Sequence, residues 1–491
     1  MSLRHSAFSA VRWTAISTLL RAILQVAQLV ILARLLSPED FGLMAIASAI
    51  YIIVNAFVDM GISSALIHFP LPTKSTLSTL FWLNLGSSLV FGVVFACLGY
   101  PLSVLYSEPG ILPLIVLMSL ALPLSALGLQ FRVLAEKELR FSSLAPIEIV
   151  AALIGFAGAI LIAGLGGGIY ALVIPMLLSA GVNSALSWWK LSVGLRPNLT
   201  FRLTESLPYL RYGAYRLGDT LFNTLHSQSD VLIGGLVVGA RAMGVYSVPR
   251  DQVLRVSNTI INPIVTRVGL PVLSKVQGDW SKLKSIYMQS LRMTSAINFP
   301  VYGGLAIWSD EVVMLLLGDQ WSASSYFLRI FAIWGLIRST GNPVGSLLYA
   351  TGHVRRAFWW NLMLLLILPS LFYLSVSSEG IQGLAWTRLL IQVAIFYLAF
   401  RYLVQPVCGM YLREYLGTFL PALLAVLAAG AVALIVSVLM FSSGALWVRL
   451  VIGGLSYFIT YVATSWIINR PWVMAMLELL RPLIFPVKPN V

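Results

Sequence analysis

Charge and cysteine are scarce in this chain of 491 residues: Asp, Glu, Lys and Arg make up 10% of it, and there are 2 cysteines. Cys97, inside an apolar run, and Cys408, in a short connection, give neither a disulfide framework nor a metal-ligand pattern. The 4 histidines, His5, His68, His226 and His353, show no ligand spacing either. No phosphate-binding loop is present, because "GLGGG" at 164–168 lacks the Lys-Ser/Thr that such a loop needs and reads as a turn. No connection exceeds about twenty residues, which leaves no room for a soluble catalytic domain. Without a nucleophile beside a base, paired carboxylates or metal ligands, an enzyme is disfavoured. Before the first apolar run stand only Arg4 and Arg12, with no small-residue cleavage site, so the first span is expected to be retained.

What the chain has in excess is apolar surface: 59% of its residues are hydrophobic and the mean hydropathy is +0.89. One water-soluble core could not hide so much, which makes an integral membrane protein. Runs of about 20 apolar residues cross the hydrocarbon layer. That template fits fourteen times, near 10–35, 40–67, 77–99, 111–132, 143–163, 169–188, 208–238, 244–272, 288–316, 323–350, 357–376, 382–403, 415–440 and 446–468. Turn-forming stretches such as "SPED", "GARA", "LGDQW", "SSEG" and "SSGA" separate them. The expected fold is therefore all-α and polytopic.

The net charge of +14 has no basic tail or soluble patch to carry it, so nucleic acid is not the expected partner. Alternate loops divide the cations sharply. Those on the N-terminal side hold sixteen Lys and Arg and the opposite set holds one, Arg241, which predicts cytoplasmic termini. All seven lysines fall in these loops, whereas fifteen of the twenty-five arginines fall within or at the ends of spans. An arginine at bilayer depth costs about 3 kcal/mol, so the deeper ones must face water or a partner.

The arginines belong to a pattern. In the first span Thr14, Ser17, Thr18, Arg21, Gln25 and Gln28 recur at helical spacing and form one polar stripe. In the seventh, Arg216, Asp219, Thr220, Asn223, Ser227 and Asp230 occupy the same positions plus 202, and "MGVYS" follows where the first half has "FGLMA". This tandem repeat predicts two pseudo-symmetric six-helix lobes, residues 1–205 and 206–404, with a terminal helix pair and tail over 405–491. Tyr51, Asn55 and Asp59 share a face of the second span, and Asp251, Arg255, Asn258 and Asn262 a face of the eighth.

As candidate cavity cations we take Arg21, Arg211, Arg216, Arg250, Arg255, Arg292 and Arg338. Gln25, Gln28, Asn55, Asn223, Asn258 and Asn262 are candidate hydrogen-bonding positions, and Asp59, Asp219, His226, Asp230 and Asp251 candidates for proton or sodium coupling. Each has a plainer competitor. Arg211, near a span end, can snorkel; Asp251 with Arg255 at i, i+4, and Arg216 with Asp219 at i, i+3, can simply pair. "RSTGNPVGSLLYATG" at 338–352 should interrupt regular helix at Gly341 and Pro343, as a gate or as a kink.

Several segments carry a family likeness: "LARLLSPEDFGLMAIA", "QFRVLAEKELRF", "INPIVTRVGLPVLSKVQGD" followed by "KLKSIYMQSLR", "LLGDQW" and "RSTGNPVGSLL". Through them the chain resembles, nearly end to end, the polysaccharide flippases of the multidrug/oligosaccharidyl-lipid/polysaccharide exporter superfamily, most closely the colanic-acid exporter branch. The resemblance implies export of undecaprenyl-pyrophosphate-linked oligosaccharide repeat units across a bacterial inner membrane. It implies no cofactor beyond a coupling proton or sodium ion, and as partners membrane lipid and a polysaccharide polymerase complex. Arginine suits that cargo, since guanidinium binds phosphate oxygens in pairs and stays protonated. A lipid II-type flippase and a small-molecule drug exporter are the nearest rivals, and a membrane scaffold for polysaccharide assembly the rival that transports nothing.

Overall fold

The computed structural model describes residues 3–257, 280–441, 446–468, 470 and 474. Every regular element among them is helical. The first part runs α1 (Leu3–Leu35), α2 (Pro38–Asp59), α3 (Ile62–His68), α4 (Lys74–Leu105), α5 (Ile111–Lys137), α6 (Phe141–Gly164), α7 (Tyr170–Leu191) and α8 (Leu203–Arg255). There follow α9 (Trp280–Ile307), α10 (Ser309–Leu316), α11 (Ser324–Ser339), α12 (Asn342–Ala350), α13 (Val354–Ala399), α14 (Leu412–Phe441) and α15 (Leu446–Ile468). Among the described residues ten helices are long and apolar enough to cross a membrane, or eleven if α9 and α10, bent by 79° at the break between them, form one span. In that tally α8 and α13 count once each, although a glycine in non-helical conformation divides both: Gly239 (φ 77°) in "GARA" and Gly380 (φ 62°) in "SSEG". A side chain at such a φ would crowd its own carbonyl, so these turn signals mark real breaks.

Helix starts and stops follow from local chemistry. "SPED" is an N-terminal capping box: Asp40 N donates to Ser37 Oγ (3.2 Å), Ser37 N donates to Asp40 Oδ2 (2.9 Å), and Pro38 sets the first helical φ. The run 40–67, expected as one span, is two helices, because Met60 (φ 49°) and Gly61 (φ 70°) are both left-handed and end α2 before α3 begins. The expected irregularity in "RSTGNPVGSLL" is the boundary between α11 and α12 at Thr340–Gly341. Part of the expected span 244–272 lies outside the described residues.

Packing divides the chain into two units. The first comprises Met1–Val248 with Phe358–Leu384. In it α1 lies along α6, α6 on α7, α5 against α4 and α7, and α2 on α4 and α5. Small residues and side-chain-to-carbonyl hydrogen bonds bring these helices close, as they must where water drives nothing. Ser179 Oγ, facing Gly155, donates to Ala151 O (3.0 Å), and Trp188 Nε1 donates to Leu127 O (2.9 Å). The start of α2 meets the segment after Gly239 backbone to backbone: a Cβ on Gly42 would strike the Ala240 carbonyl, and one on Gly244 the Pro38 carbonyl. Pro38 and Ala240, like Gly42 and Gly244, are 202 residues apart, so the contact is reciprocal between equivalent positions of the repeat.

The second unit comprises Pro249–Ala357 with Ala385–Val491. Here α9 packs on α11 and α14, and α14 on α15. Pro300 has no N–H, which deprives the carbonyl of Ala296 of its helical donor. The Tyr461 hydroxyl supplies one at 2.7 Å, and Tyr457, one turn earlier on α15, donates to Pro300 O at 2.9 Å. Helix α15 is thus fastened to α9 around Pro300 by two phenols.

Candidate functional site

Within the first unit, one face of α2 and one face of α8 border a cavity of about 420 Å³, inside the range of roughly 300–1,000 Å³ usual for ligand sites. Tyr51, Asn55 and Asp59 reach it from α2 at i, i+4 and i+8, and Arg216 and Thr220 from α8 at i, i+4. Ser63 and Ser64 on α3 and Ser125 on α5 add hydroxyls. The break at Met60–Gly61 turns α3 so that Ser63 can hold Asp59, through N–H at 3.3 Å and through its hydroxyl. Arg216 Nη1 stands 3.5 Å from Asp219 Oδ2, and Asp219 Oδ1 accepts from Asn361 Nδ2 of α13 at 2.9 Å. Hydroxyls, an amide, a carboxylate and a guanidinium in one chamber can bind a hydroxyl-rich or phosphorylated group. Of the candidate residues the cavity brings together Asn55, Asp59 and Arg216.

The remaining candidates of this unit stand elsewhere. Arg21 is paired: its Nη2 is 3.3 Å from Glu148 Oε2, while Arg132 Nη2 is 3.5 Å from Glu148 Oε1, so one α6 carboxylate bridges α1 and α5. Arg21 also donates through Nε to Ser17 O at 3.3 Å. Gln25 is exposed, Gln28 half-buried, Asn223 exposed and His226 half-buried. Asp230 is fully buried and accepts from the Tyr246 hydroxyl at 2.8 Å across the Gly239 break. Arg211 lines a separate, outer cleft with Phe69 and Tyr212.

The second unit gathers arginines around one indole. The guanidinium of Arg388 stands 4.6 Å and that of Arg338 5.5 Å from the ring centre of the buried Trp334. Arg388 and Arg250 both lie near enough to act on the charge of Arg338. Arg250 is only 2% exposed and donates to Asp251 Oδ1 at 2.8 Å. Asp251 also acts on Arg255, so the expected i, i+4 partner is joined by its immediate neighbour. Arg255 and Arg292 are exposed. Asn258 and Asn262 lie outside the described residues. Asn342, beside the α11–α12 boundary, donates to Ser257 Oγ at 3.1 Å.

Glu148, Arg388 and Ser125 are among the residues that escaped the sequence reading. Glu148 is an acid inside the apolar run "SLAPIEIVAALIG", and Arg388 a base inside "LAWTRLLIQ"; each is costly enough in a span to be noticed on that ground alone. Ser125 carries no such signal, because a serine in a membrane helix satisfies itself on its own backbone wherever it points. Among the described residues no cluster of three or more His, Cys, Asp or Glu could hold a metal ion.

A helical multi-pass membrane protein with a chamber of this chemistry belongs to the class of membrane transporters. The chain is a member of the polysaccharide biosynthesis protein family, whose model matches residues 31–326, on the Wzx-type branch of the exporter superfamily. It is 31% identical over 416 residues to the lipopolysaccharide biosynthesis protein WzxC of Escherichia coli (strain K12), covering 85% of this chain and 84% of that protein. With the teichuronic acid biosynthesis protein TuaB of Bacillus subtilis (strain 168) it shares 28% identity over 436 residues, 89% of this chain and 90% of the relative. The fold is that of the lipid II flippase MurJ in an inward closed conformation, with a TM-score of 0.74 at 14% identity over 94% of this chain and 99% of the other.

Proposed function

We propose that the protein moves polyprenyl-diphosphate-linked oligosaccharide repeat units from the cytoplasmic to the periplasmic leaflet of a bacterial inner membrane. The observation that carries this reading is the cavity of the first unit, where Arg216 faces the hydroxyls and amide of Tyr51, Asn55, Ser125 and Thr220. A diphosphate cannot enter hydrocarbon bare, but a guanidinium can take two of its oxygens at once, and the neutral polar groups suit a sugar. The relatives named for lipopolysaccharide and teichuronic acid biosynthesis support a glycan cargo. Arg338 and Arg388 at Trp334, with Arg250 beside Arg338, serve as the cationic surface of the second unit. The polyprenyl tail stays in lipid while two lobes, 1–205 and 206–404, alternate between inward and outward openings, with both termini cytoplasmic and fourteen spans in all. Asp59, held by Ser63 at the cavity wall, is the carboxylate we assign to coupling with a proton or sodium ion.

The test is complementation of a bacterium that lacks its own exporter for a glycan this chain accepts, with surface glycan and accumulated lipid-linked precursor both measured. The native chain should restore surface glycan, and Arg216→Ala should accumulate precursor in the cytoplasmic leaflet at undiminished protein level. Full export by Arg216→Ala refutes the assignment of the cavity.

A further inference from the structure

The outer cleft is a second compartment on the same helix as the inner cavity. Thr204, Leu207, Pro208, Arg211 and Tyr212 of α8, with Phe69, enclose about 500 Å³ open to the outside. Its aromatic wall is fixed in place. Tyr212 is stacked on His68 (centroids 4.6 Å apart), Phe69 meets Tyr209 and Tyr212 edge-on, and Lys137 Nζ donates to the carbonyls of Leu66 (2.7 Å) and Phe69. Arg211, exposed, is the one cation among the described residues that line the cleft.

Between cleft and cavity lies a barrier made of backbone. A Cβ on Gly213 would collide with the Met60 carbonyl, and one on Gly61 with the Gly213 carbonyl. Residues of α8 before Gly213 line the outer cleft, whereas Arg216, Leu217 and Thr220 after it line the inner cavity, together with Gly61 itself. Arg211 and Arg216, about 7.5 Å apart along the axis, therefore stand on opposite sides of the Gly61–Gly213 contact.

We propose that the outer cleft is a loading station for a diphosphate-bearing sugar headgroup, divided from the inner cavity by the Gly61–Gly213 contact, which parts to pass the headgroup from Arg211 to Arg216. Arg211 takes the diphosphate, the rings of Phe69 and Tyr212 present faces to the sugar, and Leu207 and Pro208 accept the first prenyl carbons. Two glycines allow a contact that closes tightly and reopens without unlocking side chains. The inference rests on the flippase reading for its ligand.

Its test uses the full chain in phosphatidylethanolamine vesicles, with Cys97 and Cys408 changed to serine. Thr204→Cys reports on the cleft and Thr220→Cys on the cavity, each labelled by a membrane-impermeant maleimide from the Arg211 side. Thr204→Cys should label at least tenfold faster than Thr220→Cys, and Gly213→Ala should raise the Thr220→Cys rate at least tenfold; equal rates for the two reporters, or no response to Gly213→Ala, overturn the barrier. Farnesyl diphosphate should slow Thr204→Cys labelling at least fivefold, and Arg211→Ala should abolish that protection. Equal protection by farnesol, by phosphatidylglycerol in the vesicles, or in Arg211→Ala overturns the loading station. If these results hold while the native chain moves no lipid-linked glycan, the flippase reading falls and the cleft stands as a prenyl-diphosphate site. Undiminished export by Arg211→Ala overturns the loading station and leaves the flippase reading intact.

Discussion

Substitution of Glu148 by alanine should destabilise the protein more than substitution of either arginine it joins. Glu148 on α6 touches Arg21 of α1 at 3.3 Å and Arg132 of α5 at 3.5 Å. At those separations an effective dielectric near 20 gives about 5 kcal/mol of attraction per pair. The arginine side chains are 33% and 30% exposed, however, so water screens most of this and each pair retains about 1 kcal/mol, the upper end for accessible ion pairs. Arg21→Ala removes one pair and leaves Glu148 with Arg132, for a loss of about 1 kcal/mol. Glu148→Ala removes both and leaves two half-buried guanidiniums repelling each other across the gap, for a loss of about 2–3 kcal/mol. Unfolding of the purified proteins by sodium dodecyl sulfate, followed by circular dichroism, measures the difference. An Arg21→Ala variant less stable than Glu148→Ala would refute the bridging role. Export resolves what stability cannot: with Glu148 occupying it, Arg21 should be dispensable for cargo, and Arg21→Met should keep most surface glycan.

Other consequences are as direct. Tyr461→Phe strands the Ala296 carbonyl and should cost about 1 kcal/mol, which Pro300→Ala in the same chain should largely restore by returning the missing N–H, both read by the same unfolding assay. Ser37→Ala opens the capping box of α2 at a cost of about 1 kcal/mol, while Ser37→Asp should cost little; hydrogen exchange at the start of α2 would show a difference confined to that turn. Arg388→Lys keeps the charge but loses the planar stack on Trp334, and should lower export at least tenfold at normal protein level. Unchanged export would remove Trp334 and its arginines from the transport path.

The helices were legible because a membrane writes its requirement into length and composition: the apolar runs recover α1, α2 and α4–α8 with their glycine turns, and the 202-residue offset of "FGLMA" and "MGVYS" reappears as the reciprocal packing of Gly42 and Gly244. What a one-dimensional period cannot carry is the partner. Arg21 and Arg216 lie on equivalent stripes, two turns apart in register, and look alike in sequence, yet one ends on Glu148 and the other at a cavity. The stripe fixes which face of a helix is polar, but whether that face meets water, ligand or a carboxylate depends on a residue more than a hundred positions away. The same holds for the break in the expected span 40–67, where a left-handed Met60 owes its place to the turn into α3 rather than to any propensity of methionine. For the proposed function that break matters more than the stripe does. It turns Ser63 onto Asp59, lays Gly61 against Gly213, and so separates the outer arginine from the inner one.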